Sequence, residues 1–438
     1  MADSRSYDLA IIGADAAGQA AAALAAVLGK SAVVIHTGDA TPDYLSFCEP
    51  ANFLWRRLDL HEFDLDLQPV AAQRTLHVLD DVTGAAGASF REAAQMTEFL
   101  HGAQPADAEL WPDFLREVSG RRHRPAPMQS GGAKPYAAPM GAAGRLALDD
   151  YASFNALIDD YFADESLKTH LVNSIAARFA LAGDEAGGVQ AAYGAFSLWP
   201  LTIASARALA TALERKCESA GVAFIHGPVS ECAPSRGGAA SLSFANDERV
   251  RVKRVFASTR AAAASGGFAV AGAPSPLDRR RGMRASFHLR YDDPPTIGDD
   301  ATGVRYFIGA GRDGAVRARD AMLEGRLADD APVMFEIDGN DIYATAAFCP
   351  ARICEDDVLR DWTGQDRQAL GRQVAERISA FLDHADAPPS SITTVLGEAP
   401  DIAHANRRLF PVEAIAPPPS LDPVGAAAQM IMEHYGDE

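Results

Sequence analysis

The sequence predicts an α/β fold around a parallel sheet, and three observations near its start carry that prediction. Residues 7–13 (YDLAIIG) form an apolar run without alternation, the pattern of a central parallel strand buried on both faces. Residues 14–28 form an Ala- and Leu-rich helical stretch closed by Gly29, a residue suited to the left-handed position after a helix. Residues 31–35 are a second, β-branched strand. Strand, glycine turn, helix and strand within about 30 residues make a βαβ unit. Such a unit implies a right-handed crossover and a ligand crevice at its first turn.

The later elements follow in order. Residues 92–115 read as helical, punctuated by Pro105 and Pro112. Residues 120–144 are rich in Pro, Gly, Ala and Arg without periodicity, so an exposed connection is expected there. Residues 149–182 read as helical again. Residues 205–220 form a strongly amphipathic helix, and 222–226, 240–244 and 250–258 read as strands, giving a βαβ-plus-hairpin region. Strands at 284–291, 332–337 and 342–348 precede a long helix over about 365–382. A Pro-rich stretch at 416–423 leads into a short helix over 425–434, and no internal repeat is present.

Composition narrows the function. The chain has 438 residues, enough for two or three domains, with 48% hydrophobic and 23% charged residues, a globular balance. Its 40 Lys+Arg against 59 Asp+Glu give a net charge of −19, which argues against a nucleic-acid partner. The one compact basic run, Arg121-Arg122-His123-Arg124, reads as a solvated loop rather than a phosphate patch. No apolar run approaches the roughly 20 residues of a membrane span, and residues 1–7 lack a secretory leader. The five cysteines (Cys48, Cys217, Cys232, Cys349, Cys354) are scattered and odd in number, as expected of reduced thiols in the cytoplasm. Only Cys349 and Cys354 lie close together, and no further soft ligands stand nearby, so no metal site is expected.

The ordered layout resembles the phytoene desaturase branch of the FAD-dependent oxidoreductases, related to the flavin amine oxidases. The segments that carry it span nearly the whole chain. They are Tyr7-Asp8-Leu9-Ala10-Ile11-Ile12-Gly13 with its helix, Pro105-Ala106-Asp107-Ala108-Glu109 with Trp111-Pro112-Asp113-Phe114-Leu115, and Trp199-Pro200 before the 205–220 helix and Gly221-Val222-Ala223-Phe224-Ile225-His226. Val255-Phe256-Ala257-Ser258, and Trp362 with its following helix and Ala387-Pro388-Pro389, complete the series. The resemblance implies a Rossmann-like FAD-binding-type domain interleaved with an α+β substrate domain. The first would comprise residues 1–70, 190–265 and 385–438, and the second 71–189 and 266–384. Members of that family oxidise or isomerise apolar substrates such as polyenes, or oxidise amines.

The cofactor-binding positions are Gly13, Ala14, Asp15, Gly18, His36 and Gly425. A dinucleotide fingerprint places glycines first, third and sixth, for a tight turn, close approach to the pyrophosphate and tight helix packing. Here Gly13 and Gly18 hold the outer positions and Asp15 the middle one, bringing a carboxylate toward two phosphate charges. Asp15 also reads as a helix N-cap, where an anion is favoured. The ribose-binding acid expected after the second strand is replaced by His36, which also reads as an ordinary polar strand end. Residues 37–50 contain neither the arginine nor the paired glycines that the resemblance implies. Leu201-Thr202-Ile203 stand where it implies a glycine pair. Before Gly425, Pro417-Pro418-Pro419 and Ser420-Leu421-Asp422-Pro423 replace its Gly-rich segment, removing three backbone donors and offering Asp422 as a cap.

No Gly-x-Ser-x-Gly elbow, Walker motif, His-Glu-x-x-His or Cys-x-x-Cys occurs. The acidic pairs Asp149-Asp150, Asp159-Asp160 and Asp356-Asp357 read as helix starts or solvated faces. Phe179, Tyr193, Phe196 and Trp199 line either a pocket or a core. The expectation is a phytoene-desaturase-like chain with an altered FAD site, binding an apolar small molecule or a protein partner. A working FAD-dependent dehydrogenase or isomerase and a cofactor-independent enzyme of the same cleft stand as alternatives.

Overall fold

The βαβ unit is present as β1 (Arg5–Ile12), α1 (Ala16–Val27) and β2 (Ala32–His36) in a computed structural model. The structure describes residues 5–36, 47–48, 52–65, 68–69, 72–79, 82–90, 96–98, 100, 105–120, 153–185, 202–258, 262–263, 266–269, 282–298, 304–383, 388–396, 412–415 and 423–436. β1 and β2 pair in parallel, Leu9 opposite Ala32 and Ile12 opposite Ile35. Leu9 to Ile12 are completely buried, which explains a strand that is apolar on both faces. Ala20, Ala22 and Ala23 are equally buried, and their small side chains let α1 lie close to its neighbours. α1 ends as expected at Gly29, whose φ is +77°. The Gly29 and Lys30 N–H groups donate to Ala26 O at 2.9 Å and Ala25 O at 3.0 Å, a Schellman closure.

Next come β3 (Phe47–Cys48), α2 (Asn52–Leu58), β4 (Gln68–Pro69), and the hairpin of β5 (Ala72–Leu79) and β6 (Val82–Phe90). Two helical expectations are corrected here. α3 spans Pro105–Gly120, so Pro105 opens the helix instead of interrupting one, because the first helical position needs no N–H. The single helix expected over 149–182 divides into α4 (Phe154–Tyr161) and α5 (Glu165–Phe179). Asp107, 2% exposed, accepts hydrogen bonds from the Ala163 and Asp164 N–H groups at 2.9 Å each and fixes this break. Asp164 then caps α5 by accepting from the Leu167 N–H at 2.6 Å.

β7 (Thr202–Ser205) leads into α6 (Ala206–Ser219) and β8 (Ala223–His226). β9 (Val229–Pro234), β10 (Ala240–Phe244) and β11 (Arg249–Ala257) form an antiparallel meander. The first large sheet has the order β8-β2-β1-β11-β10-β9, with β8, β2, β1 and β11 parallel. β1 therefore lies between its near neighbour β2 and the distant β11. The strand order reverses at its carboxyl end, where open α/β sheets hold their ligands. Residues 412–415 return to the same sheet, the Ile415 N–H donating to Val255 O at 2.9 Å.

The second large sheet gathers β12 (Gly282–Arg290), β13 (Val304–Gly309), β14 (Val333–Asp338), β15 (Asp341–Pro350) and, after the small hairpin of β16 (Ile353–Glu355) and β17 (Val358–Arg360), β18 (Ser391–Leu396). Its order is β18-β12-β15-β14-β13-β5-β6. α7 (Gly311–Leu323) follows β13, α8 (Gly364–Ser379) precedes β18, and α9 (Pro423–Tyr435) follows residues 412–415. Leu370, Val374 and Ile378 of α8 cluster with Phe287, Tyr306 and Phe335 on one face of this sheet. Residues of α3, α4, α5 and α7 form a separate core, and α1, α6 and α9 share one with the first sheet. The expected readings at 37–46, 121–150 and 416–422, and those on Tyr193, Phe196 and Trp199, lie outside the described residues, as does the Phe179 side chain.

Candidate functional site

The chain leaves β1 into a turn that only glycine fits at two places. Gly13 has φ +102°, and a Cβ there would lie 2.3 Å from Ser258 Oγ at the end of β11. A Cβ on Gly18 would lie 2.1 Å from the Gly13 carbonyl oxygen, because α1 crosses directly over the strand it leaves. Both glycines are thus demanded by packing of strand, turn and helix.

Asp15, between them, caps α1 from an extended conformation. Its Oδ1 accepts from the Gly18 N–H at 2.8 Å, and its Oδ2 accepts from Ser258 Oγ at 2.8 Å. Ser258 is 1% exposed, and its own N–H donates to Ile12 O at 2.9 Å. Burial pushes the Asp15 carboxyl above its usual range, opposed by the Gly18 N–H, the Ser258 hydroxyl and the Ala17 N–H. The donors of the turn are therefore already taken by one of its own side chains. Ala14, half-buried, packs with the core of α1.

His36 ends β2 directly opposite His226 at the end of β8. The two rings lie 4.4 Å apart between centroids, with Phe224 6.0 Å from His36. Burial lowers the His36 pKa, and His226 lowers it further, against the weaker pull of Glu214. A mainly neutral imidazole thus stands at the strand end, where the His36 backbone carbonyl accepts from the Gly227 N–H at 2.9 Å. Gly425 is buried in the first turn of α9, which packs with α1. Gly13, Asp15 and Gly18 come together with Ser258, whereas His36 pairs with His226 on the neighbouring strands. Sequence reading missed the roles of both Ser258 and His226. The only signal was that each follows or ends a strand predicted to lie in the parallel sheet.

No family model matches the chain, and no curated protein matches it. Solved structures do. A putrescine oxidase variant redesigned in its cofactor binding matches with a TM-score of 0.57 and 14% identity, covering 99% of each chain. An oxidoreductase from Methanosarcina mazei gives a TM-score of 0.54 at 14% identity, over 97% of this chain and 99% of that one. The fold is that of the FAD-dependent amine oxidases and related oxidoreductases. A Rab GDI from Plasmodium falciparum shares it, with a TM-score of 0.53 at 9% identity over 99% of each chain. Among the described residues, no group of three or more His, Cys, Asp or Glu is placed to hold a metal. No described helix is long and apolar enough to cross a membrane.

Proposed function

We propose that this chain uses the oxidoreductase scaffold for binding rather than for ordinary flavin redox chemistry, holding an apolar small molecule or a protein partner. The observation that carries this reading is Asp15, whose carboxylate takes the Gly18 N–H and the Ser258 hydroxyl at 2.8 Å each. In a nucleotide-binding turn those donors at the helix N-terminus would face the pyrophosphate. A phosphate brought there finds those donors and that space already taken by the Asp15 carboxyl, so the residues present do not fit the ordinary FAD mode. His36 adds to the case, since a largely neutral imidazole tilted against His226 cannot take two ribose hydroxyls as a carboxylate does. The Rab GDI neighbour supports a reading outside oxidation, because its name, unlike that of the putrescine oxidase, carries no redox activity.

The test is an absorbance spectrum of the purified chain after incubation with excess FAD and desalting. The wild type is expected to be colourless, and Asp15→Gly to retain flavin bands. Flavin retained by the wild type would overturn the proposal. A colourless Asp15→Gly would remove Asp15 as its cause.

A further inference from the structure

At the edge of the second sheet lies a groove that the proposed function does not use. α8 meets β18 at Gly371, where a Cβ would lie 2.6 Å from Thr394 Oγ1 and 2.9 Å from Ile392 Cγ2. Beside this contact a space of about 420 Å³ is lined by Arg367, Gln368, Arg372, Ile392, Thr393 and Thr394. Its lining residues are two arginines, a glutamine, an isoleucine and two threonines, with no acid; Thr394 shares with Ile392 the face of β18 that meets α8, and Thr393 alternates to the other face. β18 is the last strand of its sheet, with β12 as its one neighbour among the described residues.

The two arginines stand in a chain in which acids outnumber bases 59 to 40. Three arginines of the same part of the chain are neutralised or tied down. Arg360 bonds Asp366 at 2.6 and 2.9 Å, Arg317 meets Asp330 at 2.5 Å, and Arg377 donates to Ala331 O at 2.5 Å. Arg367 and Arg372 are exposed, and among the described residues neither guanidinium has a hydrogen bond or an ion pair. Five residues apart on α8, they stand about 7.5 Å apart along its axis, and both line the same space.

The geometry points to a binding site for a phosphate monoester of a small organic molecule. Two guanidinium forks match the charge of a phosphate dianion, and the Thr394 hydroxyl and the Gln368 amide supply further donors for its terminal oxygens. A carboxylate, with one charge and two oxygens, leaves part of this donor set unused. The space is an open groove with more room than a bare phosphate fills, leaving the organic part partly in solvent. Ile392 supplies an apolar wall for the organic part. The site lies apart from the Asp15 turn, and its test uses no flavin, so it stands whatever the outcome at that turn.

The experiment is isothermal titration calorimetry of the full chain at low salt with phenyl phosphate and, separately, inorganic phosphate. Phenyl phosphate is expected to bind one site with a Kd below about 1 mM and more tightly than inorganic phosphate. Arg367→Gln and Arg372→Gln should each weaken it roughly tenfold or more, from loss of a charge-assisted bond. Arg249→Gln, at an exposed position on β11, should bind as the wild type does. Absence of saturable binding would overturn the assignment, as would equal affinity for the two probes, which means an adventitious ion only. Unchanged binding in both arginine variants would overturn it as well.

Discussion

Asp15 carries a cost and a benefit that separate with pH. Burial raises its carboxyl above the value of 3.8 that it has in an unfolded chain. The folded state therefore holds the proton more tightly than the unfolded state does. Stability from this group is highest below pH 3.8 and falls as the pH rises through the folded-state pKa, after which the cost is constant. Asp15→Asn keeps an acceptor for the Gly18 N–H and removes the charge. Its melting temperature should match or exceed that of the wild type at pH 7, with the difference shrinking as the pH is lowered toward 4. A difference that grows on acidification would contradict this account. Asp15 was legible in the sequence as both a cap and an intruding charge. That it is satisfied from β11 was not legible, because Ser258 lies 243 residues away and nothing local marks the pairing.

Among the elements, those built from local pattern were the readable ones. β1, α1 and β2 have apolar periodicity, a cap and a C-terminal glycine all pointing the same way. α8 likewise opens at a capping box, with Thr363 and Asp366 bonding each other's backbone. The hairpin of β5 and β6 went unread because VTGAAGASF is small and glycine-rich, and its strand character comes from pairing with β5. The split between α4 and α5 was hidden for a similar reason. It is held by Asp107, which is contributed by α3 some 56 residues earlier. Asp107→Ala would leave the Ala163 and Asp164 N–H groups without their acceptor, at a cost of about 1–3 kcal/mol. Urea unfolding should show this as a lower midpoint with an unchanged slope, and no change in midpoint would dismiss Asp107 as the clamp.

At the scale of the molecule, the first sheet draws on stretches far apart in the chain: β1 and β2, β8 to β11, and residues 412–415 with α9. We propose that these stretches form one folding unit, close to the division 1–70, 190–265 and 385–438 expected from the sequence. Ending the chain after residue 411 should then destabilise β1 and α1 as well as the C-terminal helix, because Ala427, Ala428 and Ile431 share their buried core. Hydrogen exchange at the amides of Leu9 to Ile12 should rise sharply in that variant, and protected amides would show that the unit closes without the last stretch. The same order of pairing sets a delay during synthesis. Lys253 of β11, which meets Asp8 of β1, lies 245 residues later in the chain. At about 5–20 residues per second, a ribosome takes roughly 12–50 s to bridge that distance. For that interval β1, with Leu9 to Ile12 destined for complete burial, has an open hydrogen-bonding edge, and whatever shields it in the cell must act on the nascent chain.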